Sequence, residues 1–247
     1  MGLAHSPRIV TDNLIQCFDA GNVKSYPGSG STWTDLSPRA VDGTIYNSPT
    51  FSSNNNGLFV FDGSNEFIAS DLDISWNNTN SATISFFMKP DAITGGDSVS
   101  AFLGKTNWEW QFMQNTDKLN FVYWTTAGGH SNGPTISFTN FFTDLSFVNV
   151  TMVWNHLENS GNGSYTFYRN GKLFITDVAH GNPVNWTDAS INKNRSEGTK
   201  IGGNIYSWGG NYGYYHGSIG NVIIYDKALT ATEVKQNFEA HKGRFGL

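Results

Sequence analysis

The feature that most constrains this chain is a succession of short apolar runs, each closed off by a cluster of Gly, Asn, Ser or Asp. Short runs at this spacing indicate strands that fold into a sandwich or barrel. The runs are Leu14–Phe18, Leu58–Phe61, Ala82–Met88, Val99–Leu103, Trp110–Met113, Leu119–Trp124, Phe147–Trp154, Tyr165–Arg169, Lys172–Thr176 and Gly217–Tyr225. Two of them alternate cleanly. Val148, Val150, Met152 and Trp154 fall on one face, and so do Ala82, Ile84, Phe86 and Met88. Successive side chains of a strand point to opposite faces, so a period of two packs one face onto a core. Asn170-Gly171 separates two of the runs. Asn-Gly accepts the positive φ angles of a two-residue hairpin, so a hairpin is expected there.

One segment reads as a helix. Thr230-Ala-Thr-Glu233 has the spacing of a capping box, with Leu229 and Val234 placed for a hydrophobic staple. Phe238 continues the apolar face and Gly243 is placed to end the helix. Ser52–Asn56 is too short to be a linker and reads as a loop. The expected organisation is one domain over residues 1–247, with an N-terminal extension of about a dozen residues.

Composition narrows the function classes. Charged residues make up 14%, the net charge is −5, and no two Lys or Arg are adjacent. Nucleic-acid binding needs a concentrated basic face, so no such partner is expected. Aromatics reach 15%, enough to furnish a large core. Cys17 is the only cysteine and sits in an apolar run, so it reads as a small core residue. The N-terminus shows no apolar signal region and no run reaches membrane-spanning length. Cytoplasmic synthesis without a signal peptide, and no membrane insertion, are therefore expected.

Four blocks carry a family resemblance: Val60-Phe-Asp-Gly-Ser-Asn-Glu-Phe-Ile68, Ala82-Thr-Ile-Ser-Phe-Phe-Met-Lys-Pro90, Val150–Trp154 with Tyr165–Lys172, and Ile201-Gly-Gly with Tyr215, Gly217–Gly220 and Ile224–Thr230. In this order they resemble the laminin G-like subgroup of concanavalin A-like domains. That resemblance implies an all-β, two-sheet antiparallel jelly-roll sandwich, here with a short C-terminal helix. The ends carry a narrower match. Ala4–Leu14, Phe18-Asp-Ala-Gly-Asn22, Ser25–Gly30, Gln236–Ala240 and Gly243-Arg-Phe-Gly246 resemble tailed-bacteriophage virion structural proteins that carry this domain. The match implies an exposed capsid decoration, head fibre or tail fibre on the virion surface. It also implies other virion proteins as partners and self-association of several copies. Host or environmental glycans are expected as ligands from the chain's aromatic clusters instead, which leave a free carbohydrate-binding lectin module or a glycan hydrolase as alternatives.

The fold group also contains glucanases, whose nucleophile and acid lie on one strand in an E-x-D-x-(x)-E pattern. None of Glu66, Glu109, Glu158, Glu197, Glu233 and Glu239 has an Asp two positions on, so no enzyme activity is expected. Calcium is the one cofactor the resemblance implies. Asp62, Asn65 and Asn221 stand in the resembling blocks as its ligands, although Asp62-Gly63 also suits an ordinary turn. The candidate ligand-binding rings are Trp108, Trp110, Trp124, Trp208, Tyr212 and Tyr214. Rings set among Gly and Asn can stack on sugars, yet the same pattern serves core packing and protein interfaces.

Overall fold

The computed structural model describes residues 7–72, 80–92, 100–105, 110–115, 117–124, 130–132, 136–158, 163–178, 198–203 and 213–247. The chain runs through β1 (Leu14–Asp19), β2 (Thr32–Trp33), β3 (Gly43–Tyr46), β4 (Thr50–Ser52), β5 (Leu58–Asp62), β6 (Phe67–Ser70), β7 (Ala82–Pro90), β8 (Ser100–Lys105) and β9 (Trp110–Asn115). It continues with β10 (Lys118–Trp124), β11 (His130–Asn132), β12 (Ile136–Ser137), helix α1 (Phe138–Phe141), β13 (Val148–Asn155), β14 (Ser164–Arg169) and β15 (Lys172–Val178). It closes with β16 (Thr199–Ile201), β17 (Gly213–Tyr214), β18 (His216–Tyr225) and helix α2 (Ala231–His241).

These strands form two sheets. The first runs β15-β14-β13-β7-β18-β5-β4, with β1 beside the second half of β18. The second runs β11-β10-β9-β8-β16-β6-β3-β2, with β12 on β10 and β17 on β8. Pairing is antiparallel except between β17 and β8. The sheets pack face to face, giving the all-β sandwich with a short C-terminal helix that the sequence implies. Among the described residues, no helix is long and apolar enough to cross a membrane.

The core between the sheets is aromatic. Phe18, Phe59, Phe86, Phe112, Phe121, Trp33 and Trp110 are fully buried. Burying each such side chain stabilises the fold by about 1.5–3 kcal/mol. Val148, Val150, Met152 and Trp154 point into this core, as do Ala82, Ile84, Phe86 and Met88.

The opposite face of these strands is also buried, and there polar groups satisfy one another. Asn149 Nδ2 donates to Ser85 Oγ at 3.1 Å, and Ser85 Oγ and Thr151 Oγ1 are 2.8 Å apart. Helix α2 and residues 7–13 cover part of this face, making a second cluster with Val10, Cys17, Ile223, Tyr225 and Val234. Burial on both faces explains why the second half of β18, Val222–Tyr225, reads as a continuous apolar run rather than an alternating one. The described part of the N-terminal extension is thus packed: Val10 N donates to Asn237 Oδ1 at 2.8 Å. Burial beside Asp19 and Asp35 pushes the Cys17 thiol up to about 12, far from thiolate chemistry.

The expected hairpin is present, with Asn170 and Gly171 at φ 52° and 69°. The capping box forms as well: Thr230 N donates to Glu233 Oε2 at 2.8 Å and Glu233 N to Thr230 Oγ1 at 3.3 Å. The helix does not stop at Gly243. It tightens into a 3-10 turn over Lys242–Phe245, and Gly246 takes the left-handed conformation instead. Asn54–Asn56, inside the expected loop, forms a single 3-10 turn.

Candidate functional site

One end of the sandwich gathers groups that the fold does not consume. Four segments meet there: the end of β3 with Asn47, the β5–β6 turn, the residues after β7, and the β17–β18 junction. Register fixes their neighbourhood, because Tyr46 lies opposite Phe67, His216 opposite Asp62 and Gly217 opposite Pro90. Asn47 Nδ2 donates to the Asn65 carbonyl at 2.7 Å, tying the first two segments together. Asp91 N donates to the His216 carbonyl at 3.3 Å, and the buried Tyr215 hydroxyl donates to the Lys89 carbonyl at 2.8 Å. The rim is therefore anchored through backbone, and several of its side chains stay outside.

Tyr46 is 43% exposed and stacks on Phe67, with ring centroids 4.6 Å apart and planes 9° from parallel. Lys200, on the strand at the other side of β6, places Nζ 5.5 Å from the Phe67 centroid. Three carboxylates lie close by. Asp62 is exposed and its Oδ1 accepts from Ser64 N at 2.8 Å. Glu66 is buried and its Oε2 accepts from Asp62 N at 2.7 Å. Burial pushes the Glu66 carboxyl above its ordinary range; the bond from Asp62 N opposes this and the Asp62 charge adds to it. Asp91 Oδ2 sits 3.0 Å from His216 Nε2, both groups being well exposed.

Of the sequence candidates, Asp62, Asn65 and Tyr214 reach this rim. Tyr214 is half-buried and lies against Gly203. Trp110 belongs elsewhere: it is 1% exposed inside the sandwich, edge-on to Phe112, so its ring is not offered to a ligand. Trp124 ends β10 opposite His130. Trp108, Trp208 and Tyr212 lie outside the described residues. The three calcium candidates do not converge. Asn221 is five residues along β18 from the partner of Asp62, about 16 Å away. It is buried, and its Oδ1 accepts from Phe87 N at 3.0 Å, filling the gap left by the bulge between Ile219 and Asn221. Among the described residues, no group of three His, Cys, Asp or Glu could hold a metal ion.

Sequence reasoning missed Tyr46, Phe67, Asp91, Lys200 and His216. The available signal was parity: Ile45 and Ile68 face the core side, so the aromatic beside each must face out.

A second concavity, an open cleft of about 880 Å³, lies between the Asp19–Val23 loop, Asn56 and the end of α2. Its charged groups are largely spent on the fold. Arg244 donates to Asp19 Oδ1, to the Asn55 and Gly57 carbonyls at 2.6 Å each, and to the Gly220 carbonyl at 3.1 Å. Lys242 pairs with Glu239 at 2.7 Å. His241 Nδ1 is 3.1 Å from the Asn237 carbonyl and Nε2 is 3.9 Å from Asp19 Oδ2; burial lowers its pKa. This cleft closes the molecule, whereas the rim leaves chemistry open.

Comparison with known proteins agrees with this architecture. The family model described as the concanavalin A-like lectin/glucanases superfamily matches residues 61–235. No curated protein matches the chain. Among solved structures, the ligand-binding domain of botulinum neurotoxin serotype D in complex with N-acetylneuraminic acid is 13% identical, with a TM-score of 0.65 over 93% of this chain and 51% of that one. The binding domain of botulinum neurotoxin DC in complex with rat synaptotagmin II is 13% identical, with a TM-score of 0.65 over 92% and 51%. The binding domain of Paraclostridial Mosquitocidal Protein 1 is 15% identical, with a TM-score of 0.65 over 92% and 52%. The chain spans about half the length of these structures, and at such identity the likeness establishes the fold alone. On the family match and the sandwich together, the chain belongs to the concanavalin A-like lectin/glucanases superfamily, in its laminin G-like part.

Proposed function

We propose that this chain is a non-catalytic glycan-binding module displayed on the surface of a tailed-bacteriophage particle. The observation that carries the binding half is the rim, where the exposed Tyr46 ring stacked on Phe67, the Asn65 amide and carboxylates stand at one end of the sandwich. Rings that stack and polar groups that read hydroxyls are what a sugar, apolar on one face and polar at its edge, requires. Solved structures of the same fold with N-acetylneuraminic acid and with synaptotagmin II support a receptor-binding role over a catalytic one. The absence of the glucanase carboxylate spacing points the same way. The particle half rests on the resemblance of the two chain ends to virion structural proteins; there, many copies repeat by symmetry and weak sugar contacts add up.

Affinity electrophoresis through gels carrying host-surface polysaccharides tests the first half. Retardation without release of reducing ends is expected. Unchanged migration in every gel, or accumulating reducing ends, contradicts the reading. Immunogold labelling of purified particles tests the second half: labelled heads or tails are expected, and bare particles leave a free lectin.

A further inference from the structure

We infer that the outward face of Tyr46 is the stacking platform for the ligand, and that the sugar it accepts is an uncharged pyranose rather than an acidic one. The inference rests on the glycan-binding reading above and adds where the sugar sits and which class it belongs to.

Three observations place the sugar. First, the stack has one open end. Strand order puts β6 between β3 and β16, so Phe67 has Tyr46 on one side and Lys200 on the other. Strand β2 pairs with Gly43 and Thr44, and the bond from Ile45 N to the Ser31 carbonyl at 2.8 Å is the last along this edge, so among the described residues no strand pairs with β3 at Tyr46 on that side. Second, the ring is held in place before any ligand arrives. It stacks on a half-buried ring that Lys200 itself abuts, and Asn47 ties the neighbouring turns together. Little side-chain freedom is left to lose on binding, which favours a rigid aromatic contact. Third, a polar reader stands beside it. The Asn65 side chain is exposed and makes no hydrogen bond among the described residues; it is two positions from Phe67, about 7 Å along the chain. The cross-strand neighbours Thr44 and Ala69 are small, so the rings rise above the sheet.

Charge selects the class. Asp62, Glu66 and Asp91 belong to the segments that meet at this corner; Lys200 stands on the far side of Phe67 from Tyr46, and His216 is already beside Asp91. Carboxylates accept hydrogen bonds from sugar hydroxyls but repel the carboxylate of a sialic or uronic acid. The sialic acid bound by the neurotoxin domain is therefore not the expected ligand of this rim.

The test is a glycan array carrying neutral, amino, sialylated and uronate-containing oligosaccharides, read with wild type, Tyr46→Phe and Tyr46→Ala. Circular dichroism and sedimentation velocity accompany each variant. Wild type and Tyr46→Phe are expected to bind neutral glycans, with Tyr46→Ala weakened by about tenfold or more while still folded. Undiminished binding by Tyr46→Ala, or selective binding of the acidic glycans, overturns this inference and leaves the glycan-binding proposal standing. An array on which wild type binds nothing overturns both. A change in oligomeric state alone, with binding intact, assigns Tyr46 to a contact between copies instead.

Discussion

The cleft at the end of α2 and the rim at the β5–β6 turn are both polar and both rich in ionisable groups, yet they are wired oppositely. In the cleft, Arg244 reaches the β4–β5 loop, a bulged strand and Asp19. Its side chain is 11% exposed. At the rim, Tyr46, Asn65 and Asp62 face solvent and His216 meets its one partner in the open. A polar group whose hydrogen bonds are spent internally stabilises; one held rigidly with bonds to spare can recognise.

That contrast can be broken by substitution. The largest effect is expected from Arg244→Ala, which removes the guanidinium partner of Asp19 and of three backbone carbonyls. A loss of about 3–5 kcal/mol in urea unfolding is expected, with glycan binding by the folded fraction unchanged. Gly171→Ala comes next. Its Cβ would sit at φ 69° and 2.9 Å from the Phe238 side chain, so the hairpin loses about 1–2 kcal/mol, read from the same unfolding curves. Thr230→Ala removes the α2 cap and is expected to cost about 1 kcal/mol.

His241 sharpens the comparison through pH. Its folded pKa is lowered by burial, so below about 6.5 the unfolded chain binds a proton that the folded chain refuses. Stability is then lost as pH falls through that window, and His241→Asn is expected to flatten the slope. The smallest effect on stability is expected at Tyr46→Ala, within about 0.5 kcal/mol of wild type. A rim residue whose loss unfolded the protein would erase the distinction.

The long strands were legible because each spans enough residues to show a period. Strands β2, β3, β4, β6 and β16 were not: two to four residues cannot display alternation, and they exist because a neighbouring strand offers them a ladder. The ends show the same limit at long range. Phe18–Asn22 and Gly243–Gly246 stand out in the sequence as unrelated motifs, and only the fold brings Asp19 onto Arg244 and Phe245 onto Phe87. Trp110 misled because Glu109 next to it in the sequence gives it a polar setting, whereas Trp110 and Phe112 share the inward face of β9. Asn221 misled because a bulge, invisible in composition, gives its amide a structural partner. The rim rings were missed because Tyr46 and Phe67 are far apart in sequence and meet only through register.

The most direct test is backbone amide chemical-shift mapping during titration with the glycan that binds tightest on the array. Saturable shifts confined to residues 44–47, 62–67 and 214–216 are expected. Shifts concentrated at residues 19–23 and 239–244 would make the cleft the binding site and contradict the assignment of function to the rim.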